Sequence, residues 1–194
     1  MTRKCPLLAL FIACFTLIGH GWAAPMNVKA KGTMEFISDA PMEKIVGNAE
    51  GSGTLIIDTA DLSKLTGQIT VPVAGMKTGN DRRDEHLRSA EWLDAPTNPN
   101  ITFAVKSVTP LGAPTVTGPV SSADVTVVGE LNIHGVAKPL STKATIKWKE
   151  NKFKVTTTFS IALADYEVKG ASGIVGSKVG KTISIKVRLV GQGI

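Results

Sequence analysis

Residues 140–161 read LSTKATIKWKENKFKVTTTFSI. Leu140, Thr142, Ala144, Ile146 and Trp148 alternate with Ser141, Lys143, Thr145, Lys147 and Lys149. After Glu150-Asn151-Lys152 the alternation resumes, with Phe153, Val155, Thr157, Phe159 and Ile161 set against Lys154, Thr156, Thr158 and Ser160. Successive side chains of a strand point to opposite faces, so a period of two marks a strand with one buried and one wet face. The short polar break between the runs is a turn. Antiparallel pairing is expected, because strands buried in parallel sheets read as continuous apolar runs instead.

The same period extends in both directions. Val28, Ala30, Gly32, Met34 and Phe36 alternate with Lys29, Lys31, Thr33 and Glu35. Gly53, Leu55 and Ile57 follow, then Ile69, Val71 and Val73, with Pro72 marking a bulge or a weakly paired position. Ile101, Phe103 and Val105 form a fourth run and Val125, Val127, Gly129, Leu131 and Ile133 a fifth, with a turn opening at His134-Gly135. Ile183, Ile185, Val187 and Leu189 close the series. The count is eight antiparallel strands, which can close as a barrel or stack as a sandwich. A barrel also removes exposed sheet edges.

One segment breaks the rhythm. Residues 81–93, DRRDEHLRSAEWL, hold no Gly or Pro. Asn80 or Asp81 can cap the start, Asp84 and Glu85 suit the first turn, and Pro96 and Pro99 enforce the end. The spacing predicts a helix of about three turns, with His86, Ala90 and Leu93 on one stripe and Leu87 beside it. Residues 109–124 and 165–181 read as two long loops, a length that is usually functional or disordered.

The chain has 194 residues and a formal charge of +6. Residues 1–23 are expected to be a secretory signal peptide: Arg3 and Lys4, then an apolar run to Ile18, then Gly21-Trp22-Ala23 as cleavage site. Both cysteines, Cys5 and Cys14, fall inside it. A lipoprotein reading at Cys14 fits poorly, because Phe11 is unusual at its first position and the apolar run continues past the cysteine. The mature chain, residues 24–194, is then one domain with 20 Lys+Arg against 16 Asp+Glu and no cysteine. That excludes disulfides, thiolate metal sites and a thiol nucleophile. The expected location is the periplasm.

No motif demands catalysis. There is no G-x-S-x-G elbow and no HExxH. Residues 176–182, GSKVGKT, lack the first glycine of a phosphate loop and lead into a strand rather than a helix. His86 with its acidic neighbours does not converge with His134 by any ligand spacing, so no catalytic residue and no metal site is assigned. The positive charge is spread over outward strand positions without an Arg-rich, aromatic-laced cluster. Nucleic acid is excluded as a partner on that ground, and contact with a membrane is peripheral at most. The sequence leaves the oligomeric state open.

The interior is the sharper feature. An eight-stranded barrel is just wide enough to be filled by its side chains or to hold one small ligand. The inward faces carry few aromatics and no charge, so a guest would be hydrocarbon-like and held by apolar burial. Strand parity assigns Phe36, Leu55, Ile57, Phe103, Leu131, Ile146, Trp148, Val155, Phe159 and Ile185 to the lumen. The alternative is a filled, structural or stress-related barrel that acts through the loops at 109–124 and 165–181.

Three stretches resemble one family. Residues 78–93, TGNDRRDEHLRSAEWL, are similar to the TG…RD-x-HL segment of the YceI-like family of periplasmic lipid-binding barrels. Residues 129–140, GELNIHGVAKPL, resemble its G-x-L-x-I-x-G-V-x-x-P signature, and Pro99 to Phe103 its P-x-I-x-F strand. The matching positions are Thr78, Gly79, Arg83, Asp84, His86 and Leu87, then Gly129, Leu131, Ile133, Gly135, Val136 and Pro139. The resemblance implies a lipocalin-like barrel with a helix near one end. It also implies an amphiphile with a long isoprenoid tail, such as a polyprenyl or quinone-type lipid, in the lumen. It does not imply catalysis, and no other cofactor is assigned. Arg83, Asp84 and His86 are expected either to tie the helix to the barrel in a polar network or to meet a ligand headgroup. Two departures are visible: the first strand lacks the histidine often found there, and Glu167 stands where Gly is frequent. They bear on the barrel's entrance and on the ligand more than on the fold.

Overall fold

Nine strands form a single sheet in the computed structural model, which describes residues 25–39, 43–170 and 179–194. They are β1 (Met26–Asp39), β2 (Lys44–Ile57), β3 (Thr66–Pro72), β4 (Asn100–Pro110), β5 (Thr115–Thr117), β6 (Val120–Ile133), β7 (Val136–Lys149), β8 (Lys152–Ala162) and β9 (Thr182–Gly193). Every pairing is antiparallel. β1 pairs with β2 and β9, and β4 pairs with β6, so eight strands close into a barrel. The ninth, β5, is a short flap on the first residues of β6. The proposed signal peptide lies outside the described residues, as do residues 171–178 of the segment 165–181.

The inward parity read from the sequence holds in each of the eight barrel strands, as one wet face and one core face require. Two strands are longer than their alternation suggested. β2 begins nine residues before Gly53, because its inward face there is Ile45, Gly47, Ala49 and Gly51, which carries little apolar signal. These small residues make room for larger neighbours: a Cβ on Gly47 would fall 2.1 Å from the Phe36 ring, and one on Gly51 2.7 Å from Met34 Cε. β4 continues to Pro110 past a bulge between Val105 and Ser107. The extra residue shifts the inward parity from Val105 to Val108, which interrupts the period.

That extension corrects the loop read at 109–124. Most of it is strand: the end of β4, the flap β5 and the start of β6. It shows no apolar alternation because β5 is exposed on both faces, Val116 included. Pro72 is the last residue of β3, paired only with Asn100 of β4, before a 3-10 turn at Val73–Gly75.

The helix is also shorter than predicted. α1 spans Asp81–Arg88, capped by the Asn80 side chain accepting from the Arg83 N–H at 3.1 Å. It stops at Ser89, whose backbone is extended and whose hydroxyl and N–H both donate to the His86 carbonyl. Beyond it Trp92 and Leu93 turn inward and are buried, and burying them decides the chain path over local propensity. The predicted stripe is wrong as well: His86 and Ala90 are exposed, and the helix buries Asp84, with Leu87 and Arg88 half-buried.

The barrel therefore has two different ends. At one, β2 and β6 bring Ile57 and Val125 together with Val28 and Leu62 in a dense plug. At the other lie α1, Trp92 and Leu93, together with the 3-10 turn Leu163–Tyr166 and its buried Tyr166 and Val168. That turn closes on Glu167, which is left-handed at φ 56°. A side chain costs energy there and glycine does not. Glu167→Gly is expected to stabilise the protein by about 0.5–1 kcal/mol in urea melts. A variant of equal or lower stability would show that the carboxylate contributes more than the backbone strain costs.

Candidate functional site

Between its two ends the barrel encloses a cavity of about 170 Å³. Eight of the ten residues assigned by parity are on its wall: Phe36, Leu55, Phe103, Leu131, Ile146, Val155, Phe159 and Ile185. Ile57 and Trp148 are not. Both share the inward parity of their strands but sit near the plugged end, where Ile57 is completely buried and Trp148 packs against the core. Parity gives the face of a strand and carries no information about height along the barrel axis.

The wall also includes residues the sequence reading did not assign. Most are parity mates of assigned ones, such as Met34, Val71, Ile101, Val127 and Val187. Leu65 and Met76 come from turns, where alternation has no meaning. Ala49 belongs to the glycine-rich half of β2.

Two phenylalanines shape the space. The ring of Phe36 lies over Gly47, its cross-strand partner in β2. The ring of Phe103 lies over Gly129 of β6, where a Cβ would come 2.3 Å from Cζ. The bare glycines let both rings lie against the wall rather than project toward the axis. This gives Gly129 of the family signature a physical role.

The chemistry of the wall is simple. The polar side chains on it are Thr142 and Thr157, whose hydroxyls are 2.9 Å apart. Thr157 Oγ1 is also 2.7 Å from the Lys143 carbonyl and can donate to it. The hydroxyls are thus occupied with each other and with main chain, and among the described residues no ionisable side chain is on the lumen wall. Such a wall offers a guest apolar contact around its circumference.

Arg83 and Asp84 do form a network, at the helix end and off the lumen wall. Thr78 donates to Asp84 Oδ1 twice, from its N–H at 2.7 Å and its hydroxyl at 2.6 Å. Lys77 Nζ lies 3.7 Å from Oδ2. Arg83 Nε donates to Thr78 Oγ1 at 3.1 Å, and its Nη1 pairs at 2.6 Å with Glu43, the residue before β2. Burial pushes the Asp84 carboxyl up. The two Thr78 hydrogen bonds and the Lys77 charge outweigh it, and the net displacement is below the usual carboxylate range. His86 takes no part: its side chain is exposed. Thr78 holds the place the sequence reading gave to His86, and its signal was the TG pair at the head of the motif.

The sequence profile of the YceI-like domain matches residues 27–191. The chain belongs to the YceI-like family. A UPF0312 protein of Pseudomonas putida is 32% identical over 108 residues, a match that spans 53% of this chain and about half (52%) of that relative. A UPF0312 protein of Pseudomonas aeruginosa is 26% identical over 190 residues, 92% of this chain and 94% of that one. Among solved structures, a polyisoprenoid-binding domain from Saccharophagus degradans, implicated in plant cell wall breakdown, superposes with a TM-score of 0.66 at 16% identity, over 87% of this chain and 99% of that one. At that identity the likeness is one of fold. The shared fold is a closed eight-stranded antiparallel barrel with one helix.

Proposed function

We propose that this protein is a periplasmic lipid carrier that holds the long apolar tail of an amphiphile, polyprenyl or quinone-type, in the barrel lumen without catalysis. The observation that carries the reading is the wall itself: apolar around its circumference, with its two hydroxyls already paired. A polar or charged guest would lose its hydration there and gain no partner, whereas each buried CH₂ contributes about 0.8 kcal/mol. The polyisoprenoid-binding domain of similar fold supports the same class of ligand. The export-type composition of residues 1–23 supports the location.

Size adds a condition. A cavity of about 150 Å³ lined by aliphatic and aromatic groups stays dry and holds benzene. The lumen of about 170 Å³ accepts one such stretch of chain as it stands. A longer tail requires wall side chains to change rotamer, which the unbranched Met34 and Met76 do more cheaply than a β-branched wall would. The unfilled lumen favours this reading over a structural barrel with a filled core.

Native mass spectrometry of the protein purified from its own compartment without detergent, followed by solvent extraction, tests the proposal. One discrete added mass that extracts as a polyprenyl or quinone-type lipid is the expected result. A bare polypeptide, still bare after incubation with such lipids, overturns it.

A further inference from the structure

Two stretches of the barrel wall lack a ladder. Along β2, Lys44–Gly51 has no partner in β3, but there Asn48 and Lys77 exchange two main-chain hydrogen bonds, at 2.7 and 2.9 Å, that tie the edge to the turn before α1. The other is the seam between β7 and β8. β7 and β8 pair only between Ala144/Thr157 and Lys149/Lys152. Yet β7 continues back to Val136, paired with β6, and β8 runs on to Ala162, paired with β9. Their facing edges, residues 136–143 and 158–162, carry no ladder. Where the ladder ends, threonine hydroxyls take over: Thr157 Oγ1 to the Lys143 carbonyl at 2.7 Å, and Thr142 Oγ1 to the Thr158 carbonyl at 3.4 Å.

The sequence of this edge resists closure. The Lys143 carbonyl faces β8, and main-chain groups alternate sides along a strand, so Ser141 and Pro139 face the seam too. Pro139 has no N–H to give to a ladder, and proline is confined to such unpaired positions. Lys138 sits on the inward parity of β7, opposite the buried Leu131, and is nevertheless exposed. Behind the seam stand Leu140, Thr142 and Phe159 of the lumen wall.

The geometry points to this seam, between residues 138–143 and 158–162, as the port through which the lipid tail passes sideways into the lumen, an inference that rests on the carrier reading above. Passage through the plugged end would have to displace Ile57, Val28 and Val125, which are at most 1% exposed. Passage at the other end would have to move the buried Trp92 and Leu93. The seam asks for neither, and no ladder hydrogen bond has to break. A tail inserted sideways also leaves its headgroup outside, beside Lys138 and Lys143.

Because both cysteines of the chain precede residue 24, the mature protein can be locked by design. Ser141 and Ser160 are exposed and would face each other if the β7–β8 register continued. In the Ser141→Cys/Ser160→Cys variant, uptake of cis-parinaric acid, a fluorescent polyene fatty acid, is followed by stopped flow before and after oxidation. The locked form is expected to take up the probe about 10-fold more slowly or worse, since a covalently closed edge removes the path that needs no bond broken. Reduction should restore the rate. Equal rates with the disulfide formed overturn the port and leave the carrier reading intact. A reduced protein that takes up no probe overturns the carrier reading and the port with it. If the disulfide does not form, amide hydrogen exchange of the unmodified protein decides. Fast exchange at Ser141 and Lys143 beside slow exchange at Leu140 and Thr142 supports an open edge, and uniform protection overturns it.

Discussion

Asp84→Ala is expected to lower the stability of the protein by about 2–4 kcal/mol, the largest loss from any single polar side chain among the described residues. The carboxylate is 1% exposed and accepts two hydrogen bonds from Thr78, with Lys77 on its other oxygen. Removing it leaves the Thr78 N–H without an acceptor and releases Thr78 Oγ1, on which Arg83 Nε also depends. α1 would then be held to the barrel mainly through the half-exposed Arg83–Glu43 pair, and exposed pairs contribute little. Asp84→Asn keeps the shape and one acceptor and should cost less than alanine. The pH dependence identifies the cause. The folded carboxyl is displaced downward, so its stabilisation is fully present above the unfolded value of about 3.9 and is lost as pH falls through the lower folded value. Urea melts of wild type and Asp84→Asn should therefore differ by a constant amount from neutral pH down to about pH 5 and converge below about pH 4. A gap that persists unchanged at pH 3 would mean that the asparagine fails for reasons of packing rather than charge.

The lumen was more legible in the sequence than the machinery around it, for a physical reason. A strand with one wet face must alternate, and that constraint is local, so Phe36, Phe103, Phe159 and Ile185 could be placed without knowing their neighbours. Features set by the neighbours left weaker traces. The glycine-rich half of β2 is small because Phe36 and Met34 occupy the space from β1, which alternation within β2 cannot reveal. The β4 bulge scrambled the period and turned a strand into an apparent loop. His86 drew notice as a histidine among acids, while Thr78, an ordinary polar residue, holds the buried carboxylate. Helix propensity continued through residues 89–93, but two large apolar side chains had a core to enter. Whether a parity-matched residue lines the cavity or the plug depends on where the barrel ends, and Ile57 and Trp148 show that only the assembled structure supplies this. The seam left one readable mark, Pro139 in a run that otherwise alternates as strand.

Phe103→Asp should abolish uptake of an apolar probe, by about 100-fold or more in affinity, while leaving a barrel that still folds at neutral pH with reduced stability. Phe103 faces the cavity rather than a packed neighbour on that side, so truncating it enlarges a space that already exists instead of opening a new void. The damage comes from the charge. Among the described residues the lumen wall carries no cationic side chain, and its two hydroxyls already serve each other and the Lys143 carbonyl. An ionised carboxylate there keeps its charge only by drawing in water, and that water must be expelled again before an apolar chain can enter. The introduced carboxyl should consequently titrate above the usual carboxylate range, because desolvation disfavours its charged form. Acidification then separates the two explanations of lost uptake. If charge is the cause, probe binding should partly recover as the group is neutralised, whereas a variant that has merely lost its fold will not recover on moving to acid. Phe103→Leu, apolar and smaller, should bind the probe within a few-fold of wild type, since it removes contact area without adding polarity. Full uptake by Phe103→Asp in a protein with native circular dichroism would show that the tail lies elsewhere than against this wall.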